Sequence, residues 1–93
     1  MVSIQPITIW KDGATKKATH FEAFLNYDNL QSEAKFLYTI YQENTSDNIE
    51  IPIYYEAIAG GEVYFKDDDY INWDNSNEMA ISMILSKLGL TQA

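Results

Sequence analysis

The feature that most constrains this chain is a regular alternation of apolar and polar residues in THFEAFLNY, residues 19–27. In an extended segment, one face would carry Phe21, Ala23, Leu25 and Tyr27, and the other would carry His20, Glu22, Phe24 and Asn26. This period of two is typical of a strand with one buried and one largely wetted side. The segment therefore predicts a sheet whose buried side is covered by a second layer.

Further segments rich in β-branched and aromatic residues predict strands over residues 3–10, 33–41, 49–59 and 62–66. Pro6 cannot donate to a ladder, so the first strand should lie at an edge or begin after Pro6. Residues 33–41 are apolar on both sides, which favours a central strand with Phe36, Tyr38 and Ile40 on one face. The pairs Asp12–Gly13 and Gly60–Gly61 predict tight hairpin turns.

Strict alternation fixes the expected faces of the last two strands. The side chains of residues 49–59 should divide between the two faces of the sheet. One face should carry Ile51, Ile53, Tyr55 and Ala57, and the other should carry Glu50, Pro52, Tyr54, Glu56 and Ile58. In residues 62–66, the inward pair should be Val63 and Phe65, with Glu62, Tyr64 and Lys66 outward.

The C-terminal segment has the clearest helical pattern. Asn75 followed by Glu78 resembles a capping box, and Gly89 suits a left-handed end. The apolar stripe recurs at helical spacing through Met79, Ala80, Met83, Ile84 and Leu88. The prediction is an α+β fold, an antiparallel sheet of four to five strands with one C-terminal helix packed on it, forming a single domain over residues 1–93.

The net charge of −8 is unevenly distributed. Residues 1–20 carry three Lys and one acid, a balance of +2, whereas residues 21–93 carry three Lys and thirteen acids, a balance of −10. All six cations are Lys, so the bidentate recognition of phosphate or guanine by Arg is missing. An acidic body repels nucleic acid and anionic membranes, and we expect neither as a partner.

The chain contains no Cys, which excludes disulfides, thiolate nucleophiles and zinc–thiolate sites. No apolar run approaches the ~20 residues needed to cross a bilayer, and the first residues lack the pattern of a signal peptide. We expect a protein that is made in a reducing cytoplasm.

The run KDDDYINWDN, residues 66–75, has the composition of a calcium loop but not its pattern. Counted from Asp67 at EF-hand spacing, Ile71 and Asn72 occupy the positions that require an oxygen ligand and a turning Gly. We therefore predict no metal site here.

Two other interpretations of this run remain open. In the structural one, Asp67 or Asp68 caps a short helical turn, and Tyr70 and Trp73 fix that turn to the sheet. In the functional one, the Asp67–Asp69 run attracts a basic partner.

Residues suited to catalysis are few. His20 is the sole histidine and has Glu22 as a same-face neighbour, but no Gly-x-Ser-x-Gly elbow is present. Gly60–Gly61 does not extend into a phosphate-binding glycine pattern. We expect no enzymatic activity and no cofactor.

The aromatic residues are the more informative set, because thirteen of the 93 residues are Phe, Trp or Tyr. Four of them lie on faces predicted to point outward, namely Phe24, Tyr41, Tyr54 and Tyr64. They predict either a sheet that packs on both faces, a register shifted by one residue, or an exposed patch that docks a protein partner.

Several stretches together resemble small virion structural proteins of tailed bacteriophages: PITIW, ATHFEAF, DNLQSEAKFLY, a Gly-x-Val-x-Phe strand, DDYINW and a terminal helix closing in LGLT. This chain differs from them in its YQENTSDNIEIPIYY stretch and its heavier acidic load. The resemblance implies a capsid decoration, auxiliary or head–tail protein located in the virion, bound to virion components or to copies of itself as a homo-oligomer. It assigns no functional residues. The alternative is a phage-encoded acidic inhibitor of a basic host protein.

Overall fold

A computed structural model describes residues 1–47, 49–50 and 52–93. The described part of the chain forms a four-stranded antiparallel sheet of order β1-β2-β3-β4, followed by two helices. The elements are β1 (Val2–Lys11), β2 (Ala14–Asp28), β3 (Glu33–Thr45), β4 (Ile53–Lys66), α1 (Asp68–Asn72) and α2 (Asn77–Leu88). The predicted α+β class with a C-terminal helix is confirmed, and within the described residues the strand number is four.

The predicted turn at Gly60–Gly61 is wrong. β4 runs through both glycines without interruption, with Gly60 opposite Thr39 and Gly61 opposite Tyr38. A Cβ on Gly61 would lie 2.8 Å from the Tyr38 hydroxyl oxygen, and one on Gly60 would lie 2.9 Å from the Tyr38 carbonyl oxygen. These glycines therefore serve close packing between strands, not chain reversal.

β1 is an edge strand, as Pro6 predicted. Its register with β2 shifts between Ser3 and Ile7, so the strand bulges around the proline. The C-terminal residues cover part of its outer side, because Gln5 N–H donates to the Thr91 carbonyl at 2.7 Å and Ala93 N–H donates to Ser3 at 3.0 Å. The β1 edge is thus closed to other strands around residues 3–5.

α2 begins one residue later than predicted. The N-cap is Ser76, whose Oγ accepts a hydrogen bond from the Met79 N–H at 3.1 Å, whereas Asn75 takes a left-handed φ of 69°. Trp73 fixes this start, since its Nε1–H donates to the Ser76 carbonyl at 2.8 Å. The left-handed end at Gly89 is confirmed with φ 73°.

One face of the sheet and the helices enclose the core. The fully buried large side chains are Ile4, Phe21, Phe36, Phe65 and Ile84. α2 buries Ala80, Ile81, Ile84 and Leu85, and the predicted stripe faces the core, with Ala80 and Ile84 fully buried. The remaining stripe members, Met79, Met83 and Leu88, are half-buried at its margins.

Two bulges overturn predicted faces. In β2 the register shifts between Leu25 and Tyr27, which moves Tyr27 from the predicted core side to the opposite side. In β4 a second shift buries Ile58, predicted outward, and leaves Tyr55 exposed, predicted inward. The face predicted for Ile51 lies outside the described residues.

Candidate functional site

The side of the sheet opposite the helices carries a contiguous group of ring and apolar side chains. Phe24 pairs with Leu37 across β2 and β3, while Lys35 pairs with Tyr27 on one side and Tyr64 on the other. Residues of one strand that are two apart share a face, so these pairs are neighbours. We call Phe24, Tyr27, Leu37 and Tyr64 the aromatic patch.

The four predicted interaction residues separate in the structure. Phe24 is 51% exposed and Tyr64 is 39% exposed, and both belong to the aromatic patch. Tyr41 lies on the same face but is half-buried, and its hydroxyl donates to Glu22 Oε2 at 3.0 Å. Tyr54 pairs with Asn44 near one end of β4. Asn44 falls in the same alternating set of β3 as the core-facing residues, so Tyr54 lies on the core-facing side of the sheet, opposite the aromatic patch. The structure therefore brings three of the four to one side.

Tyr27 is the aromatic member of the patch that sequence reasoning missed. Its assignment to the core side followed from unbroken alternation, which the bulge before it interrupts. Burial first, and then the Glu33 carboxylate, raises the pKa of the Tyr27 hydroxyl, so the phenol is neutral at physiological pH. Nothing in the local sequence marks the extra residue.

Opposite charges compensate one another around the patch. Lys35 Nζ lies 3.1 Å from Glu62 Oε1, and Lys66 Nζ lies 3.7 Å from Glu33 Oε1. Hydrogen bonding to Lys35 lowers the pKa of Glu62, and the same bond raises the pKa of Lys35. The two lysines and two glutamates of these pairs balance one another, whereas Glu22, two residues from Phe24 on the same face, is bonded to the Tyr41 hydroxyl and to no Lys of the described residues.

Cation–ring contacts order the side chains at one end of the patch. Lys35 Nζ lies 5.8 Å from the centre of the Tyr64 ring, and Lys66 Nζ lies 5.1 Å from it. The Tyr64 hydroxyl also donates to Glu62 Oε2 at 3.2 Å. These contacts hold the ring in place before any partner arrives, which reduces the conformational entropy that binding would cost.

The helix-bearing side of the sheet contains a groove of about 570 Å³. Its lining is Leu25, Asp28, Leu30, Phe36, Tyr70, Trp73, Asn75 and Asn77. Leu30, one of these lining residues, has an apolar side chain that is 82% exposed to solvent. The groove thus combines an apolar floor with a few polar groups, as ligand-binding sites do.

The run at residues 66–75 forms the strand-to-helix connector that the structural interpretation predicted. The Trp73 ring packs edge-on against Phe36 and Phe65 at 5.2 and 5.7 Å, and the Tyr70 hydroxyl donates to Asp28 Oδ1 at 2.6 Å. The predicted aspartate cap is wrong at Asp67, the N-cap of α1, because its side chain makes no capping hydrogen bond.

The acidic side chains of this connector point to different partners. Asp69 pairs with Lys87 of α2, and Asp74 accepts a hydrogen bond from the Ser76 N–H at 2.8 Å. The Ser76 hydroxyl first, and then this N–H, lowers the pKa of Asp74. Among the residues the structure describes, no three His, Asp or Glu side chains converge as a metal site would require.

His20 is half-buried on β2. Its Nε2 lies 3.3 Å from the Ser3 hydroxyl and its Nδ1 lies 3.0 Å from the Thr19 hydroxyl. The ring meets Tyr55 edge-on at 4.8 Å. Both ring nitrogens are thus engaged with neighbouring hydroxyl groups.

Replacing Asp28 by Asn is expected to lower the pKa of the Tyr70 hydroxyl. The hydrogen bond to the Asp28 carboxylate is the main cause that raises this pKa above 10.0, followed by burial. The amide keeps the shape of the side chain but removes its charge. NMR of the tyrosine ring carbons through alkaline pH should show Tyr70 titrating closer to its ordinary value in the variant. An unchanged midpoint would contradict the bond.

No protein-family model, curated protein or solved structure matches this chain. Within the described residues, no helix has the length and apolar character needed to cross a membrane. The two surfaces just described, the aromatic patch and the groove, are therefore the features that support a function.

Proposed function

We propose that this protein is a non-enzymatic structural protein that docks onto another protein through its aromatic patch. The observation that carries this proposal is the exposure of Phe24, Tyr27 and Tyr64 together on the sheet face opposite the two helices of the described residues. A few residues carry most of the binding energy at a protein interface, and Tyr is among the residue types enriched in that group. The charges beside Tyr27 and Tyr64 are paired as Lys35 with Glu62 and Lys66 with Glu33, so covering that end of the patch adds little uncompensated charge.

The open edge of the sheet adds a second element to this docking mode. β1 is protected by Pro6, a bulge and the C-terminal segment, whereas β4 has no strand partner on its outer side among the described residues. Its 14 residues contain no proline. An extended segment of the partner can therefore pair with β4 through main-chain hydrogen bonds, while the adjoining surface of the partner covers the aromatic patch.

The virion is the setting that we propose for this docking. The resemblance to small virion proteins of tailed bacteriophages supports a capsid decoration, auxiliary or head–tail role after synthesis in the host cytoplasm. A protein bound in many copies to a repeating lattice needs a stable body and a contact surface, and no substrate site. The aromatic patch meets that requirement.

A phage-encoded acidic inhibitor is the second candidate, favoured by the exposed Asp67 and Asp68 and by the balance of −10 over residues 21–93. Ionic strength separates the two functions. Binding driven by carboxylates weakens steeply as salt screens the charges, whereas aromatic docking changes little.

The test is a double variant, Phe24→Ser with Tyr64→Ser, in the phage that encodes the chain. Mass spectrometry of purified particles should find the wild-type protein in many copies, and the double variant reduced at least about tenfold, as the loss of two aromatic anchors implies. The control is Tyr54→Ser, which removes a comparably exposed ring from the other face and should leave the copy number unchanged.

Three results would contradict the proposal. The wild-type protein could be absent from the particles, Tyr54→Ser could abolish incorporation while the double variant does not, or incorporation could depend on Asp67 and Asp68 and be lost at high salt. The last of these would favour the inhibitor.

A further inference from the structure

We propose that the groove on the helix-bearing side binds an arginine of a partner protein together with an apolar residue next to it. In this arrangement the guanidinium meets Asp28 at the rim, and the apolar side chain lies on the floor formed by Leu25 and Phe36. This site is separate from the aromatic patch, because the core-facing and patch-facing residues of β2 and β3 alternate.

The groove is held open by its own backbone. Leu30 and Asn75, which both line the groove, take left-handed conformations with φ of 62° and 69°; this conformation is strained for Leu30 and well tolerated by Asn75. Asn29 enforces the first of them, because its Oδ1 accepts hydrogen bonds from the N–H groups of Gln31, Ser32 and Glu33 at 2.9 to 3.0 Å. The loop therefore displays the Leu30 side chain to solvent instead of burying it.

The rim supplies an uncompensated negative charge. Asp28 Oδ1 accepts from the Leu30 N–H at 2.7 Å and from the Tyr70 hydroxyl at 2.6 Å. No Lys of the described residues forms an ion pair with this carboxylate, and its Oδ2 makes no hydrogen bond there. A half-buried carboxylate at the mouth of an apolar groove favours a cationic occupant.

The neighbouring side chains favour arginine over lysine. Asn75 and Asn77 line the same groove as Asp28, and their amides are not engaged in side-chain hydrogen bonds within the described structure, so they offer further acceptors to a ligand in the groove. A guanidinium offers five N–H donors in one plane and can stack on the Tyr70 ring, whereas an ammonium offers three. The net charge of −8 draws a cation to this surface and repels an anion.

The probe for this site is the capped dipeptide N-acetyl-leucyl-arginine amide, titrated into the protein and followed by two-dimensional amide NMR. Shifts are expected at Asp28, Leu30, Asn75 and Asn77, with a Kd of roughly millimolar order for so small a ligand. The matched probe carries citrulline in place of arginine, which keeps the shape and removes the charge. It should bind at least about tenfold more weakly.

The matched variants are Asp28→Asn at the end of β2 and Asp12→Asn in the turn before β2, and each removes one negative charge. Asp12 has a left-handed φ of 52°, a conformation that Asn tolerates well, so both variants should fold. Asp28→Asn should weaken the arginine probe about tenfold or more and leave the citrulline probe unchanged. Asp12→Asn should change neither.

Equal binding of the two probes, equal effects of the two variants, or shifts confined to other residues would overturn the proposal. The outcome is independent of the aromatic patch, because Phe24→Ser with Tyr64→Ser should bind the arginine probe as the wild type does. A wild-type protein that is absent from virions yet binds the probe would refute the proposed function and keep this site.

Discussion

Phe36→Ala is expected to lower the free energy of unfolding by about 3–5 kcal/mol. The Phe36 side chain is 1% exposed, and its ring centre lies 4.8 Å from that of Phe65 and 5.2 Å from that of Trp73. Removing it leaves a cavity between the sheet and the connector, which the rigid strands can fill only in part. Because a domain of this length has a total stability of roughly 5–14 kcal/mol, urea unfolding followed by circular dichroism should show a large fall in the midpoint.

The matched control is Phe24→Ala on the neighbouring strand. Phe24 is of the same residue type but lies in the aromatic patch, so its removal should cost less than about 1 kcal/mol. Equal losses for the two variants would mean that the sheet is packed on both faces, as the competing interpretation of the outward aromatics predicts. That result would also remove the exposed surface on which the proposed function depends.

Local alternation was sufficient to predict much of the sheet. Phe21, Phe36 and Phe65 were assigned to the core side from a period of two, and all three are buried. This works because a side chain's face in a regular strand depends only on its parity in the sequence. The terminal helix could be predicted equally well, since the spacing of its apolar residues and Gly89 at its end are local signals.

The failures share one physical cause, which is that a bulge is defined by the partner strand. An extra residue in β2 turns Tyr27 outward, and one in β4 turns Ile58 inward, but each segment alternates acceptably when considered alone. Gly60 and Gly61 failed for the same reason, because the side chain and carbonyl that require them belong to Tyr38 on β3.

The candidate sites show the same division between local and long-range information. Phe24 and Tyr64 were predicted to face outward because parity alone places them there. The groove could not be predicted, since its walls come from residues 25–36 and 70–77, which only the folded chain brings together. Leu30 carried no signal in the sequence, because its left-handed conformation is imposed by hydrogen bonds of the loop.

Gly60→Ala is expected to destabilise the protein by about 1–3 kcal/mol. The added Cβ would lie 2.9 Å from the Tyr38 carbonyl oxygen, which belongs to the backbone of β3 and cannot rotate away. Relief requires β3 and β4 to separate at the middle of the sheet. Urea unfolding should therefore show a lower midpoint with an unchanged slope.

Gly61→Ala provides the comparison, because its Cβ would meet the Tyr38 side chain, with the hydroxyl oxygen at 2.8 Å. Removing that side chain in Tyr38→Ala should relieve this clash, so the double variant should lose less stability than the two single losses added together. Gly60→Ala combined with Tyr38→Ala should lose the full sum, because the carbonyl oxygen remains. If Tyr38→Ala rescued both glycine variants equally, the added Cβ at position 60 would clash with the Tyr38 side chain and not with its carbonyl oxygen. The explanation that Gly60 is required by the main chain of β3 would then be wrong.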